Sequence, residues 1–154
     1  MTIRDPSNIS IRLKLDIGVH AYPELKQETT IFKFDSSEKG IALTINPPSQ
    51  VAAEKLISLA RFGVLSTRYK DIYDLYFLIA EAGVLVPETR NTLKLFAAKA
   101  INGPKSIDEI ISSIISALAN PSFIKDVQNP SSKWIDIDFD QIINCILGFV
   151  KQLK

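Results

Sequence analysis

Residues 49–80 read SQVAAEKLISLARFGVLSTRYKDIYDLYFLIA. Apolar side chains recur at helical spacing on both sides of Gly63. Before it, Val51, Ala52, Leu56, Leu59 and Ala60 form one apolar face, and Glu54, Ser58 and Arg61 form a polar stripe at i, i+4 and i+7. Ser49, after Asn46-Pro47-Pro48, suits an N-cap, and Gly63 suits a C-terminal stop. After it, Ile72, Leu75, Tyr76 and Ile79 make a second buried stripe, which predicts a helix over 69–82 ending at Gly83. Asp71 and Asp74, at i and i+3, share the opposite face, and Lys70 lies at i, i+4 to Asp74. An acid in a first turn is favoured by the helix dipole, which accounts for Asp71. The dipole does not account for the bases crowded beside it, Arg61, Arg68 and Lys70. Such a cluster suits a triphosphate or a metal–phosphate complex, and equally a solvated helix start. Lys55 sits one residue off the polar stripe, where it is either a surface lysine or a point charge for a phosphate.

Working outward, the chain continues helical towards its end. Pro87 opens a helix running to about 101. Ser106 with Glu109 forms a capping box for a helix that Asn120-Pro121 ends. Asp138 opens the last helix, over 139–153. The DIDFD run at 136–140 places three acids in alternation, and the capping role of Asp138, with Asp140 in the first turn, explains it better than a metal site.

Before residue 46 the period changes to two. In ISIRLKLDI, 9–17, Ile9, Ile11, Leu13, Leu15 and Ile17 alternate with Ser10, Arg12, Lys14 and Asp16, as in a half-buried strand. Thr30–Phe34 and Ile41–Ile45 are further short strands around the turn-like SSEKG. Asp16 is an unusual residue for a strand, although a solvated sheet face would also carry it. The expected fold is α+β and mostly α: a small sheet of about three strands over 1–46, then a bundle of about five helices over 47–154. Three strands need a cover, so the sheet is expected to pack on the helices.

Composition narrows the function classes. With 154 residues and a net charge of +1, the chain has no global field to attract nucleic acid or an anionic membrane. Cys145, the single cysteine, lies among Ile142, Ile143, Ile146 and Leu147 and reads as a small core residue. His20 is the only histidine, which disfavours zinc. MTIRDPSN has no apolar signal region, and no apolar run approaches the roughly 20 residues that cross a bilayer. The expected location is the cytoplasm, with no membrane partner.

RLKLDI, then AAEKLISLARFG, then STRYKDIYDLYFLI, in this order, resemble the C-terminal two-thirds of the AbiEii/AbiGii-type nucleotidyltransferase toxins. The likeness is specific over 49–79 and looser at 12–17. It is looser again at ANPSFIKDVQNPSSKW with DFDQIINCILGFV, which is similar to that family's tail. It implies a polymerase-β-like fold that transfers a nucleoside monophosphate from an NTP, with Mg²⁺, to an RNA or protein acceptor. By the same resemblance, Asp16 matches the third, metal-binding carboxylate and Asp71 the catalytic acid after the second basic cluster. Lys55 matches the lysine that contacts nucleotide phosphates. Arg61, Arg68 and Lys70 line the same nucleotide pocket, and Glu54 and Asp74 support it. The family's Gly-Ser or Gly-Gly-Thr turn with its paired Asp-x-Asp opens at none of Gly18, Gly40, Gly63, Gly83, Gly103 or Gly148. The expectation is therefore a shortened toxin-family member, inactive alone, that a separate N-terminal fragment completes, with a homo-oligomer as another expected assembly. The alternatives are a non-catalytic helical module that binds an antitoxin or partner fragment, and a vestigial fragment.

Overall fold

The computed structural model describes residues 2–4, 10–12, 22–34, 37–129, 131 and 133–154. Among these residues four strands come first: β1 Thr2–Arg4, β2 Ser10–Arg12, β3 Glu28–Phe34 and β4 Ser37–Ile45. They form two separate antiparallel pairs, β1 with β2 and β3 with β4, in place of one sheet of about three strands. Of the strand expected over 9–17, residues 10–12 pair with 2–4, with Ile11 opposite Ile3. Asp16 lies outside the described residues.

The β3–β4 hairpin is longer than its alternation implied, because SSEKG contributes most of its length to β4 and little to the turn. Gly40 explains how. Its φ is +66°, and a Cβ there would stand 2.7 Å from Ile31 Cγ2 and 2.8 Å from the Phe32 carbonyl oxygen. Only glycine lets the two strands approach at that point, beside the register shift between Phe32 and Phe34. Phe32 opposes Ile41 and Thr30 opposes Leu43, so these four share one face of the ribbon. Phe32, Ile41 and Leu43 are exposed on that face, and Ile31 on the other.

Six helices follow among the described residues: α1 Pro48–Phe62, α2 Lys70–Ala80, α3 Val86–Lys99, α4 Ile107–Leu118, α5 Pro121–Val127 and α6 Phe139–Gln152. A 3₁₀ turn, Gly63–Leu65, links α1 to α2. Helix α1 is the centre. Its face of Ala52, Ala53, Leu56, Leu59 and Ala60 is buried, and it contacts α2, α3 and α4. Three alanines on that face let neighbouring backbones come close, while Leu56 and Leu59 fill the space between them. Helix α6 closes the core from α2 and α4 with Ile142, Ile146, Phe149 and Val150.

Two helix boundaries depart from expectation. Pro48 occupies the first turn of α1 and Pro47 its N-cap, so Ser49 is inside the helix. Freed from capping, the buried Ser49 accepts the Leu85 N–H at 3.1 Å, and its carbonyl accepts Thr89 Oγ1 at 3.4 Å. It thus ties the start of α1 to the start of α3. Asn120-Pro121 ends α4 as expected, yet also starts α5, because Asn120 Oδ1 accepts from Ser122 N and Phe123 N. This short helix makes the sixth member of the bundle. No single described helix is long and apolar enough to cross a membrane.

Candidate functional site

The α1–α2 seam brings together residues far apart in the chain. The buried arc of α2, Ile72, Tyr73, Leu75 and Tyr76, turns Asp71 and Asp74 towards the seam's open edge. Lys55 stands at the matching edge of α1's buried face. Its Nζ donates to Asp71 Oδ1 at 2.7 Å and to Asp74 Oδ2 at 2.8 Å. Arg68, just before α2, places Nε 2.8 Å from Asp71 Oδ2. Trp134 Nε1 donates to Asp74 Oδ1 at 2.9 Å. Three of the four carboxylate oxygens thus accept a hydrogen bond from Lys55 or Trp134, and Asp71 Oδ2 is held by the Arg68 ion pair.

Exposure grades the cluster. The side chains of Lys55 and Asp71 are each 14% exposed, Asp74 is 36% and Arg68 65%. The inner pair works at reduced dielectric, while the Arg68 contact is screened. Two cations and two anions leave no formal net charge. Burial on its own pulls the Lys55 ammonium pKa down; the hydrogen bonds it donates to Asp71 and Asp74, with their charges, more than reverse that, and the pKa ends above its ordinary value. Lys55 is thus a fixed cation, suited to holding an anion and unsuited to proton abstraction or nucleophilic attack.

The other candidates fall in different places. Lys70, expected to pair with Asp74, is exposed and makes no ion pair among the described residues, because Lys55 and Trp134 already occupy that carboxylate. Arg61 lies six residues beyond Lys55, about 9 Å along the helix and about 120° round it. Its Nε and Nη2 donate to the Asn102 carbonyl at 3.3 and 3.1 Å. Gly103, at φ +103°, admits it: a Cβ there would meet Arg61 Cγ at 2.9 Å. Glu54, which accepts from Gln50 Nε2 at 3.0 Å, lines a cavity of about 290 Å³ with Tyr22, Ser58, Arg61, Phe62 and Phe96. The structure therefore gathers Lys55, Arg68, Asp71 and Asp74, and sets Glu54 and Arg61 on a separate face of α1.

The acids of DIDFD do what capping chemistry demands. Asp138 Oδ1 accepts from Asp140 N at 2.9 Å and Gln141 N at 3.1 Å, and Asp136 pairs with Lys133 at 2.7 Å. Cys145 is half-buried against the core, and burial raises its thiol pKa, as expected of an unreactive cysteine. Trp134 was missed as a site residue. Its signals in sequence are that it is the single tryptophan, with an indole N–H that needs an acceptor, and that it closes the ANPSFIKDVQNPSSKW stretch of the tail resemblance.

A divalent cation does not fit the described cluster. Its two carboxylates already share a lysine, and among the described residues no three His, Cys, Asp or Glu side chains converge as ligands.

Comparison with known families gives a match. The model described as nucleotidyl transferase AbiEii toxin, type IV TA system, covers residues 1–143. Neither curated proteins nor solved structures gave a match.

Proposed function

The chain belongs to the AbiEii nucleotidyl transferase toxin family of type IV toxin–antitoxin systems, and from that premise we propose that α1 and α2 form the distal wall of a nucleotide pocket. Lys55 is its phosphate-contacting cation, with Arg68 and the exposed Lys70 at the rim. Asp71 and Asp74 hold Lys55 in place until a nucleotide arrives. The observation that carries this reading is the convergence of Lys55 with Asp71 and Asp74, across two helices, at 2.7 and 2.8 Å.

Nucleotidyl transfer in general uses an NTP and divalent metal, which neutralises the phosphates as the acceptor oxygen attacks and pyrophosphate leaves. The residues described here do not build that metal site. In our reading Asp16 supplies one metal-binding carboxylate and Asp71 a catalytic one, with an RNA acceptor. Arg61 and Glu54 act away from the phosphates, since α1 turns them to its other side. The paired Asp-x-Asp after a Gly-Ser turn does not occur in residues 1–154. We therefore assign no transfer activity to these residues alone, and expect a further segment or partner chain to bring those carboxylates.

The test uses the chain with Mg²⁺, labelled NTPs and tRNA or total RNA. No label transfer is expected, and robust transfer would overturn the assignment of inactivity. Calorimetry with NTP checks Lys55 separately: Lys55→Met should weaken binding about tenfold, and an unchanged affinity removes Lys55 from the pocket.

One observation favours a second reading. Phe32, Ile41 and Leu43 expose an apolar face on a two-stranded ribbon, and such a face suits a protein partner, the antitoxin or a completing fragment. A clean monomer at high concentration in sedimentation would count against self-association through this face.

A further inference from the structure

Trp134 stands at the outer end of the lysine cluster. Its indole N–H is bonded to Asp74 Oδ1 at 2.9 Å, and its ring lies 5.9 Å from that of Phe77, tilted by 58°. Asp74 and Phe77 are three residues apart on α2 and share its surface, so two contacts on one face fix the indole. The consequence falls on Lys55. Asp74 is the more exposed of the two acids, and its side chain has open solvent to rotate into. With Oδ1 held by the indole, Oδ2 stays 2.8 Å from Lys55 Nζ. A phosphate oxygen seeking the ammonium meets a carboxylate already in place.

We propose that Trp134 is a positioning residue: through Asp74 it sets how available the Lys55 ammonium is to a phosphate. This rests on the reading of Lys55 as the phosphate contact. A phosphate takes Lys55 by displacing Asp74, and the displaced carboxylate releases the indole. Linkage makes the effect reciprocal. Whatever loosens the Trp134 contact tightens phosphate binding, and phosphate binding loosens Trp134. Residues 133–138 are then coupled to occupancy at Lys55 although none of them belongs to α1 or α2.

The single tryptophan makes the coupling directly visible, because all indole emission comes from Trp134. The probe is inorganic tripolyphosphate, titrated into the full chain by calorimetry and by tryptophan emission in parallel. Binding should red-shift the emission and increase its quenching by acrylamide, with the calorimetric midpoint. Trp134→Phe keeps an aromatic ring for Phe77 and loses the N–H, so it should bind tripolyphosphate at least about fivefold more tightly. Lys55→Met should abolish binding and the emission change together. Binding that depends on Lys55 but leaves the emission unmoved overturns the positioning role and spares the phosphate reading. So does an affinity unchanged or weakened in Trp134→Phe. Failure of wild type and Trp134→Phe alike to bind, or binding that Lys55→Met does not affect, overturns both. The wild-type emission arm needs no variant to fold.

Discussion

In α1 the apolar positions Ala52, Leu56 and Leu59 are sealed by α2, α3 and α4, whereas in the β3–β4 hairpin Ile31, Ile41 and Leu43 stand exposed. Both segments follow a clear apolar period. They differ in neighbours: helices bring cover from three directions, while a two-stranded ribbon has two faces and two edges to satisfy and finds little among the described residues to satisfy them. Period therefore reports which residues can share a face, and only packing decides whether that face is hidden. The same contrast runs through the charges. Lys55 gains two carboxylates because α2 lies against its edge of α1, and Arg61, on the same helix, is left to a backbone carbonyl.

If the contrast is right, the largest effect belongs to the bundle. Leu56→Ala removes a fully buried side chain at the meeting point of three helices and should cost about 2–5 kcal/mol in urea unfolding. A loss below about 1 kcal/mol would mean that α1 is not the centre of the core.

Next comes the lysine cluster. Lys55→Met leaves Asp71 and Asp74 without their shared cation and should cost roughly 1–3 kcal/mol near neutral pH. Its pH dependence is distinctive. The folded pKa of Lys55 is raised above the 10.5 of the unfolded chain, so its stabilising contribution is complete below that value. It is lost as pH rises through the folded pKa. The gap between wild type and Lys55→Met should stay level from pH 7 to 9 and close above 10.5. A gap that closes on acidification with no change in alkali would show that the ammonium is not what stabilises the seam.

Smaller again is the cap of α4. Ser106 Oγ accepts the Glu109 N–H at 3.2 Å, and Ser106→Ala should cost about 1 kcal/mol. Least of all is the hairpin. Ile41→Lys adds a charge to an already exposed position and should change the stability of the chain by no more than about 0.5 kcal/mol. A loss of several times that size would show that Ile41 is covered in solution, by a partner copy or by another part of the chain, and would erase the contrast. The concentration dependence of unfolding separates those two cases.

Much of the bundle was legible in the sequence because helix formation is mostly local. The period of 3.6, the stop at Gly63 and the caps at Ser106 and Asp138 each act within a few residues, and the structure places helices where they point. The strand pattern was legible in type and misjudged in extent, since the length of β4 depends on Gly40 tolerating the close approach of Ile31, a contact across the ribbon. Ser49 has the chemistry of a cap, but Pro47-Pro48 starts α1 earlier and a long-range bond to Leu85 claims its hydroxyl. Helix α5 was hidden because seven residues are too few to show a period.

By itself, then, the sequence determined the helical class, the family and the shared face of Asp71 and Asp74. The helical class and the shared face follow from spacing along local stretches of chain, and the family from the resemblance that RLKLDI, AAEKLISLARFG and STRYKDIYDLYFLI carry together. Tertiary structure alone decided that Lys55 faces that pair, that Arg61 turns from it to Asn102, and that Trp134, sixty residues beyond Asp74, holds the carboxylate's other oxygen. The physical reason is range. Side-chain period is fixed by backbone geometry over a few residues, whereas the partner of a charge is fixed by which helix arrives beside it, and that depends on how the whole apolar surface is buried.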